Sequence, residues 1–384
     1  MKKSKLPWTD ASSMPTDYSV QKMAPYIGRL KTTIARHLIE KYSNPLETVV
    51  DPFCGSGVVP LEAKALNRNA IGFDWNPYGV ILSKGKVGTP LKQSTALKRF
   101  KKVWLRSREL LCEQDLRTVP IWVRKFFHRE TLREALAFRD ACVEAGDDFL
   151  LACLLGILHH QRPGFLSFPA SHLVPYLRTR NFPRSKYPHL YRKRALLPRM
   201  VAKIVRTYKN PLPKNNAVAR IAKGDSRKLA IKEKIGAVIT SPPYMNELDY
   251  VRDNRLRLWF IEKHIDYSKE LSSKTREDAF QQLMSAVINR LAPKITIDGF
   301  FVFVVGDVTR RRKSKRAPDQ IIQEIFQNDQ QLKSFKLKTV LKDKIPDLRR
   351  ARRGLEGTKN ETILIYKKNI EKNWRGRDGK ATKH

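Results

Sequence analysis

Apolar positions along the chain fall into two periods. In "IGRLKTTIARHLIEKYS" they sit at Ile27, Leu30, Ile34, Leu38 and Ile39, the spacing of one helical face. "ETVVDPFCGSG" follows, a short β-branched run that breaks into glycines and so predicts a strand ending in a tight turn. "VVPLEAKALNR" reads as the next helix, and "NAIGFDWNP" as a second strand that ends on an acidic residue. Strand, glycine turn, helix and strand open a doubly wound α/β sheet.

Between about residues 90 and 220 the alternation stops, and the pattern is one of helices and loops with no clear strand. The apolar run "FLLACLLGIL" at 149–158 is too short to span a bilayer and predicts a buried helix. The rhythm resumes with "ARIAKGDSRKL", a short strand ending at Asp225, and then "GAVITSPPY". Helices are expected at about 250–264 and 275–293, and "GFFVFVVGDV" has the unbroken apolarity of a central parallel strand. "PDQIIQEIFQND" is amphipathic, and "FKLKTVLKDKI" and "ETILIYKK" are the last two strands. This divides the chain into a loosely held N-terminal arm (1–25), a first part of an α/β domain (26–90), a basic helical insertion (91–219), a second part of the domain (220–366) and a disordered basic tail (367–384).

Charge changes the picture. Over 384 residues the formal net charge is +39, and a polyanion, nucleic acid above all, is the natural partner for such a surplus. Much of it is clustered: no acidic residue lies between Asp148 and Asp225, while Arg178, Arg180, Arg184, Lys186, Arg192, Lys193, Arg194 and Arg199 crowd together among Phe165, Phe168, Tyr176, Phe182, Tyr187 and Tyr191. The four cysteines form no CxxC pair and have no histidine at metal spacing, so neither a zinc site nor a disulfide framework is expected. The basic, polar N-terminus has no apolar run of the signal-peptide kind. A reduced, intracellular, soluble protein is expected, cytoplasmic, with no membrane and no metal.

Three places carry candidate chemistry. In Asp51-Pro52-Phe53-Cys54-Gly55-Ser56-Gly57 the glycines permit positive φ and close approach of a ligand to the backbone. Asp74, at the end of the second strand, occupies the position that accepts hydrogen bonds from ribose hydroxyls in such folds, and also reads as an ordinary turn residue before Asn76-Pro77. Asp225 ends the third strand, where a carboxylate could accept an adenine amino group or simply cap a turn. No GxxxxGK[ST] is present, which leaves a nucleoside-bearing cofactor without P-loop phosphate binding. In Ser241-Pro242-Pro243-Tyr244 two prolines end a strand and fix an extended backbone. The Ser241 hydroxyl and Pro242 carbonyl become rigid acceptors and Tyr244 offers a flat face, a set that suits the exocyclic amino group of a base.

These residues resemble the amino-methyltransferases that act on DNA. "DPFCGSG" is similar to their S-adenosylmethionine motif and "TSPPY" to the catalytic motif of the cytosine-N4 branch, where adenine-N6 enzymes more often carry Asp or Asn in place of Ser241. The resemblance covers about residues 25–90 and 220–366 and includes "IGFDWNP" and "ETILIYKK". It implies a Rossmann-like sheet of seven strands, S-adenosylmethionine held at Asp51, Phe53, Gly55, Gly57, Asp74 and Asp225, and catalysis at Ser241 to Tyr244. The segment from "APYIGRL" resembles the one that closes over the methionine end of the cofactor, which adds Arg29. The order, cofactor motif before catalytic motif, is the reverse of many cytosine-N4 enzymes and puts the basic insertion where target recognition would lie. Double-stranded DNA is the implied partner, with a cognate restriction endonuclease system as a further candidate. Cytosine-C5 chemistry is disfavoured, because no cysteine follows a proline. Adenine-N6 methylation, guanine-N2-type RNA methylation and a silent nucleic-acid-binding role remain the alternatives.

Overall fold

The computed structural model describes residues 17–172, 174–243, 250–262, 276–306, 316–344 and 360–370. Its seven strands are β1 (Thr48–Asp51), β2 (Asn69–Asp74), β3 (Ala219–Lys223), β4 (Ile235–Thr240), β5 (Ile295–Gly306), β6 (Phe335–Lys344) and β7 (Asn360–Lys368). They form one sheet in the order β3-β2-β1-β4-β5-β7-β6. The first five in that order are parallel, and β7 runs antiparallel between β5 and β6. This is the α/β sheet that the motifs imply.

Alternation along the strands explains the layers. Val50, Val238, Phe301, Phe303 and Leu364 point to one face, where they bury residues of α10 (Arg276–Leu291) and α11 (Pro318–Asn328). Val49, Ala237, Ile239, Val302 and Val304 point to the other, against α1 (Thr32–Tyr42) and α2 (Val58–Ala65). A strand covered on both faces has no reason to alternate with polar residues, which is why β4 is buried at every position.

The hydrophobic pattern gave no separate sign of α3 (Pro77–Val87). Its start is conventional: Asn76 Oδ1 accepts from Tyr78 N, and Pro77 takes the first helical position. Almost all of α3 is buried, so it lacks a polar stripe. It is covered by the insertion, built of α4 (Gln93–Glu109), α5 (Ile121–Arg124), α6 (Arg129–Glu144), α7 (Asp148–Ile157) and α8 (Leu196–Thr207), and by α9 (Tyr250–Glu262). Tyr78 and Leu82 of α3 share one buried cluster with Phe100, Phe138, Phe149, Leu154, Met200 and Phe260. The insertion therefore shares its core with helix α3, on the side of the sheet that carries the glycine turn. Helix α7 is buried along its length, and among the described residues no helix is long and apolar enough to cross a membrane.

Two expectations about the ends of the chain are corrected. Residues 17–25 are not a loose arm: Gln21 and Met23 are fully buried, and Gln21 Nε2 donates to Glu62 Oε1 at 2.8 Å. Residues 1–16 lie outside the described residues. At the other end β7 continues through Lys368, whose Nζ donates to the carbonyls of Ala292 and Ile295, so an ordered strand reaches past residue 366; residues 371–384 lie outside the described residues.

The N-terminal segment packs so closely on α7 that a Cβ at Gly156 would lie 2.1 Å from the Met23 carbonyl oxygen. Gly156→Ala is expected to lower stability by about 1–3 kcal/mol in thermal or urea unfolding. An unchanged midpoint would mean that this segment does not pack there.

Candidate active site

Strands β1 and β4 are neighbours from which the chain departs in opposite directions, towards β2 and β3 on one side and β5 on the other. Such a switch point leaves a crevice at the carboxyl ends of the strands, where open α/β sheets bind ligands. The glycine turn follows β1 and the Ser-Pro-Pro turn follows β4, so the two motifs meet there.

The glycine turn is held from all sides. Thr240 Oγ1 donates to Asp51 Oδ1 at 2.6 Å, and the same oxygen accepts from Phe53 N at 3.1 Å. The Ser226 hydroxyl, just beyond β3, donates to the Pro52 carbonyl. Cys54 N donates to the Phe73 carbonyl and Gly55 N to Asp74 Oδ2 at 2.7 Å, both at the end of β2. From α3, Ser83 Oγ donates to the Gly55 carbonyl at 2.7 Å and Lys86 Nζ to the Ser56 carbonyl at 2.6 Å. Gly55 and Gly57 both take positive φ, +48° and +74°. A Cβ on Gly57 would also lie 2.7 Å from Ser83 Oγ, so no other residue fits that turn without a shift.

Burial sets the electrostatics. It pushes the Asp51 carboxyl up to about 7, against the bonds from Thr240 and Phe53 N that favour the charged form. It pushes Asp74 up to about 6, against backbone N–H bonds from Asn76 and Gly55. Burial raises the Cys54 thiol well above its ordinary value, so it stays protonated and packs as a small apolar group. Lys86, also buried, is pushed well below its ordinary value.

The remaining expected residues are placed as follows. Half-buried Phe53 and Gly55 form the open part of the turn. Gly224 N donates to the Asp74 carbonyl at 3.0 Å, which brings Asp225 beside Asp74. The Asp225 carboxylate caps the turn after β3 by accepting from Arg227 N, and both its oxygens also accept from the Arg227 guanidinium, bonding that holds it below its ordinary value. Arg29 Nη1 donates to the Gln21 carbonyl at 2.7 Å and so fastens its own segment. That segment lies over the glycine turn: the Tyr26 ring is stacked with Tyr78, ring centroids 5.8 Å apart, and Tyr78 Oη donates to the Pro25 carbonyl. Ser241 is half-buried, Pro242 buried and Pro243 exposed; Tyr244 lies outside the described residues.

Thr240, Ser226, Ser83 and Lys86 were not singled out from the sequence. Small hydroxyls flanking the motifs were the only local sign. Trp75, next to Asp74 and 54% exposed, was also missed, although an aromatic that closes a strand beside an acidic residue could have been noticed.

In the basic stretch Arg180, Arg184, Lys186, Arg192 and Lys193 are exposed, Lys193 with Nζ 3.0 Å from Glu134 Oε1. Arg178 is half-buried, bonded to Gln161 and set over the Phe182 ring. Arg194 is corrected: it is only 5% exposed, and its guanidinium donates to the carbonyls of Arg162, Phe165 and Leu190. Residues 160–194 contain little regular structure, so their carbonyls need donors, and Arg194 supplies several of them. The loop is fastened to α9, where Arg255 Nη2 donates to the Pro175 carbonyl at 3.0 Å and Arg257 Nη2 to that of His172 at 3.3 Å.

The raised Asp51 carboxyl has a testable consequence. Between about pH 4 and 7 the folded chain holds a proton there that the unfolded chain releases, so stability from this group is lost as pH rises through that window. Asp51→Asn removes the dependence. The unfolding free energy of the variant minus that of the wild type should therefore become more positive between pH 5 and pH 7, by at most about 1.4 kcal/mol per pH unit. A difference constant with pH would refute the assignment.

Residues 26–85 match a family model described as DNA methylase, of the N6/N4 type. No curated protein matches. Among solved structures, TrmN from Thermus thermophilus is 11% identical at a TM-score of 0.36, with 91% of this chain and 52% of that one covered; the present chain thus spans about half of it. The rRNA methyltransferase aviRa from Streptomyces viridochromogenes is 12% identical at 0.33, covering 93% and 92%. An S-adenosylmethionine-dependent methyltransferase from Methanosarcina mazei is 8% identical at 0.37, covering 87% and 98%. Likenesses this distant say nothing about substrate. The matched segment runs from the N-terminal strap through the glycine turn into α3, the part of the site described above. Over residues 26–85 the chain is thus similar to the N6/N4 DNA methylase family model, in an α/β fold with a sheet of seven strands.

Proposed function

We propose that the chain transfers a methyl group from S-adenosylmethionine to the exocyclic amino group of a base flipped out of double-stranded DNA, cytosine N4 in the first place and adenine N6 in the second. One observation carries this reading: the glycine turn and the Ser-Pro-Pro turn meet at one switch point and are joined by the Thr240–Asp51 bond.

The residues present fit the cofactor. The half-buried backbone of the turn at Phe53 and Gly55 leaves room for close approach, the Asp74 carboxylate keeps lone pairs for ribose hydroxyls, and the exposed Trp75 ring can lie on adenine. Asp51, Phe53 and the strap bearing Arg29 would border its methionine end; Asp225 would exchange Arg227 for the adenine amino group. Bound there, the cofactor supplies a methyl carbon activated by a sulfonium leaving group.

The chain's own part is orientation. An aromatic amine is a weak nucleophile, because its lone pair is delocalised into the ring. Ser241 Oγ and the Pro242 carbonyl accept its two N–H bonds, draw the nitrogen towards tetrahedral geometry and aim the lone pair in line with the methyl carbon. After transfer the nitrogen sheds one proton to solvent. Tyr244, as read from the sequence, stacks on the flipped base and offsets part of the few kcal/mol that flipping costs. Arg180, Arg184, Lys186 and Arg192 supply exposed charge for backbone phosphates. Ser241 favours cytosine, and the family match favours DNA over RNA.

Nucleosides from DNA of cells expressing the protein, compared by mass spectrometry with cells expressing Ser241→Ala, test the reaction. N4-methylcytosine present only with the unmodified chain supports it; N6-methyladenine would change the base but not the mechanism. Neither base, with cofactor binding intact, would turn the search to RNA. Neutralising Arg184, Lys186 and Arg192 together should reduce the slope of log K against log salt by about 2–3. An unaltered slope would return these residues to an ordinary solvated surface.

A further inference from the structure

The parallel pairing of β1 with β4 runs through Val49–Ala237 and Val50–Val238 and then ends, as the two strands turn away into their separate motifs. Beyond that point the backbone has little means of keeping the motifs in register. Pro242 and Pro243 have no N–H to offer, and the Phe53 N–H is already given to Asp51. A side chain makes the link instead. Thr240 is fully buried and Asp51 4% exposed, and the 2.6 Å bond between them spans 189 residues of sequence.

The acceptor in this bond is shared. Asp51 Oδ1 takes both the Thr240 hydroxyl and the N–H of Phe53, which lies on the open part of the glycine turn. A movement of Phe53 displaces that oxygen, and with it Thr240 and the adjoining Ser241. Thr240, β-branched and enclosed, has little rotamer freedom to absorb the shift. We infer that Thr240 is a positioning residue for methyl transfer: through Asp51 it fixes the Ser241 acceptor relative to the cofactor turn and couples the filling of that turn to the geometry at the base. The inference rests on Ser241 being the acceptor proposed above. A threonine that merely satisfies its hydroxyl in the core would leave the transfer step untouched, and this is what separates the two roles.

The test compares the full chain with Thr240→Val, which keeps the shape and removes the hydroxyl, and Thr240→Ser, which restores it. The acceptor is genomic DNA from a host that lacks the protein; the readouts are the single-turnover methyl-transfer rate at saturating cofactor, the cofactor Kd by calorimetry, and the pH profile of the rate. Thr240→Val should slow transfer by about ten- to a hundredfold while the Kd stays within about threefold, and Thr240→Ser should return to within about threefold of the unmodified rate. The pH profile adds a sign. Asp51 faces Thr240, Asp74 and the Cys54 thiol, and the Thr240 bond lowers its pKa. Charged Asp51 is the better acceptor, so the rate should fall as pH drops through its pKa, and this acidic limb should move to higher pH in Thr240→Val and back in Thr240→Ser.

An unchanged rate in Thr240→Val, no recovery in Thr240→Ser, or a rate loss matched by an equal loss of cofactor affinity would each overturn the positioning role. Absence of transfer by the unmodified chain, with cofactor bound, would instead refute the reading of the reaction and this inference with it.

Discussion

Asp51 opens and Asp74 flanks a turn that must hold two glycines in left-handed conformations, and the site depends on how these demands are met together. Buried carboxylates are costly unless bonded, and left-handed turns hold only when their surroundings leave no alternative. Here one set of bonds meets both demands. Asp51 and Asp74 accept the N–H groups of Phe53 and Gly55, Thr240 reaches Asp51 from the neighbouring strand, and Ser226, Ser83 and Lys86 take the carbonyls that the turn leaves over. The ends of β1, β2 and β4, the residues just after β3, and helix α3 all converge on seven residues. A ligand meeting such a turn finds its donors and acceptors already aimed, and little reorganisation is needed.

The large positive charge has two uses. Some of it faces solvent, as at Arg180, Arg184 and Lys186, where a polyanion can meet it. Another part is internal. Between Asp148 and Asp225 the sequence holds no carboxylate, and buried cations of that stretch turn to backbone oxygens: Arg194 to the carbonyls of its own loop and Lys203 to that of Lys22; from α9, Arg257 donates to those of Leu155 and His172. A loop without strand or helix leaves carbonyls unsatisfied, and arginine, with its fork of donors, serves several at once. The same composition that suits DNA therefore also builds the loop. Because Arg255 and Arg257 belong to α9, soon after the Ser-Pro-Pro motif, the basic loop is joined to the segment that follows β4.

Legibility followed the range of the interactions. Strands β1 to β7 and helices α1, α2, α10 and α11 were readable because each is announced by its own residues: a β-branched run, a glycine break, an apolar stripe every three or four positions. Helix α3 was not, since burial on nearly every side removed the polar stripe that would have marked it. The N-terminal residues read as a loose arm because their partners, Glu62 and Asn210, lie far along the chain. Arg194 read as a DNA contact because composition cannot tell a cation that faces water from one that faces carbonyls.

By itself the sequence determined the α/β alternation, the two motifs and the position of the insertion, because periodicity and turn chemistry need no knowledge of what lies across the molecule. The tertiary structure alone decided that the two motifs meet, that Thr240 and Asp51 join them and that Arg194 is a strut. Most of these contacts connect residues tens to nearly two hundred positions apart, and a hydroxyl carries no mark of the carboxylate it will find until the sheet has brought them together.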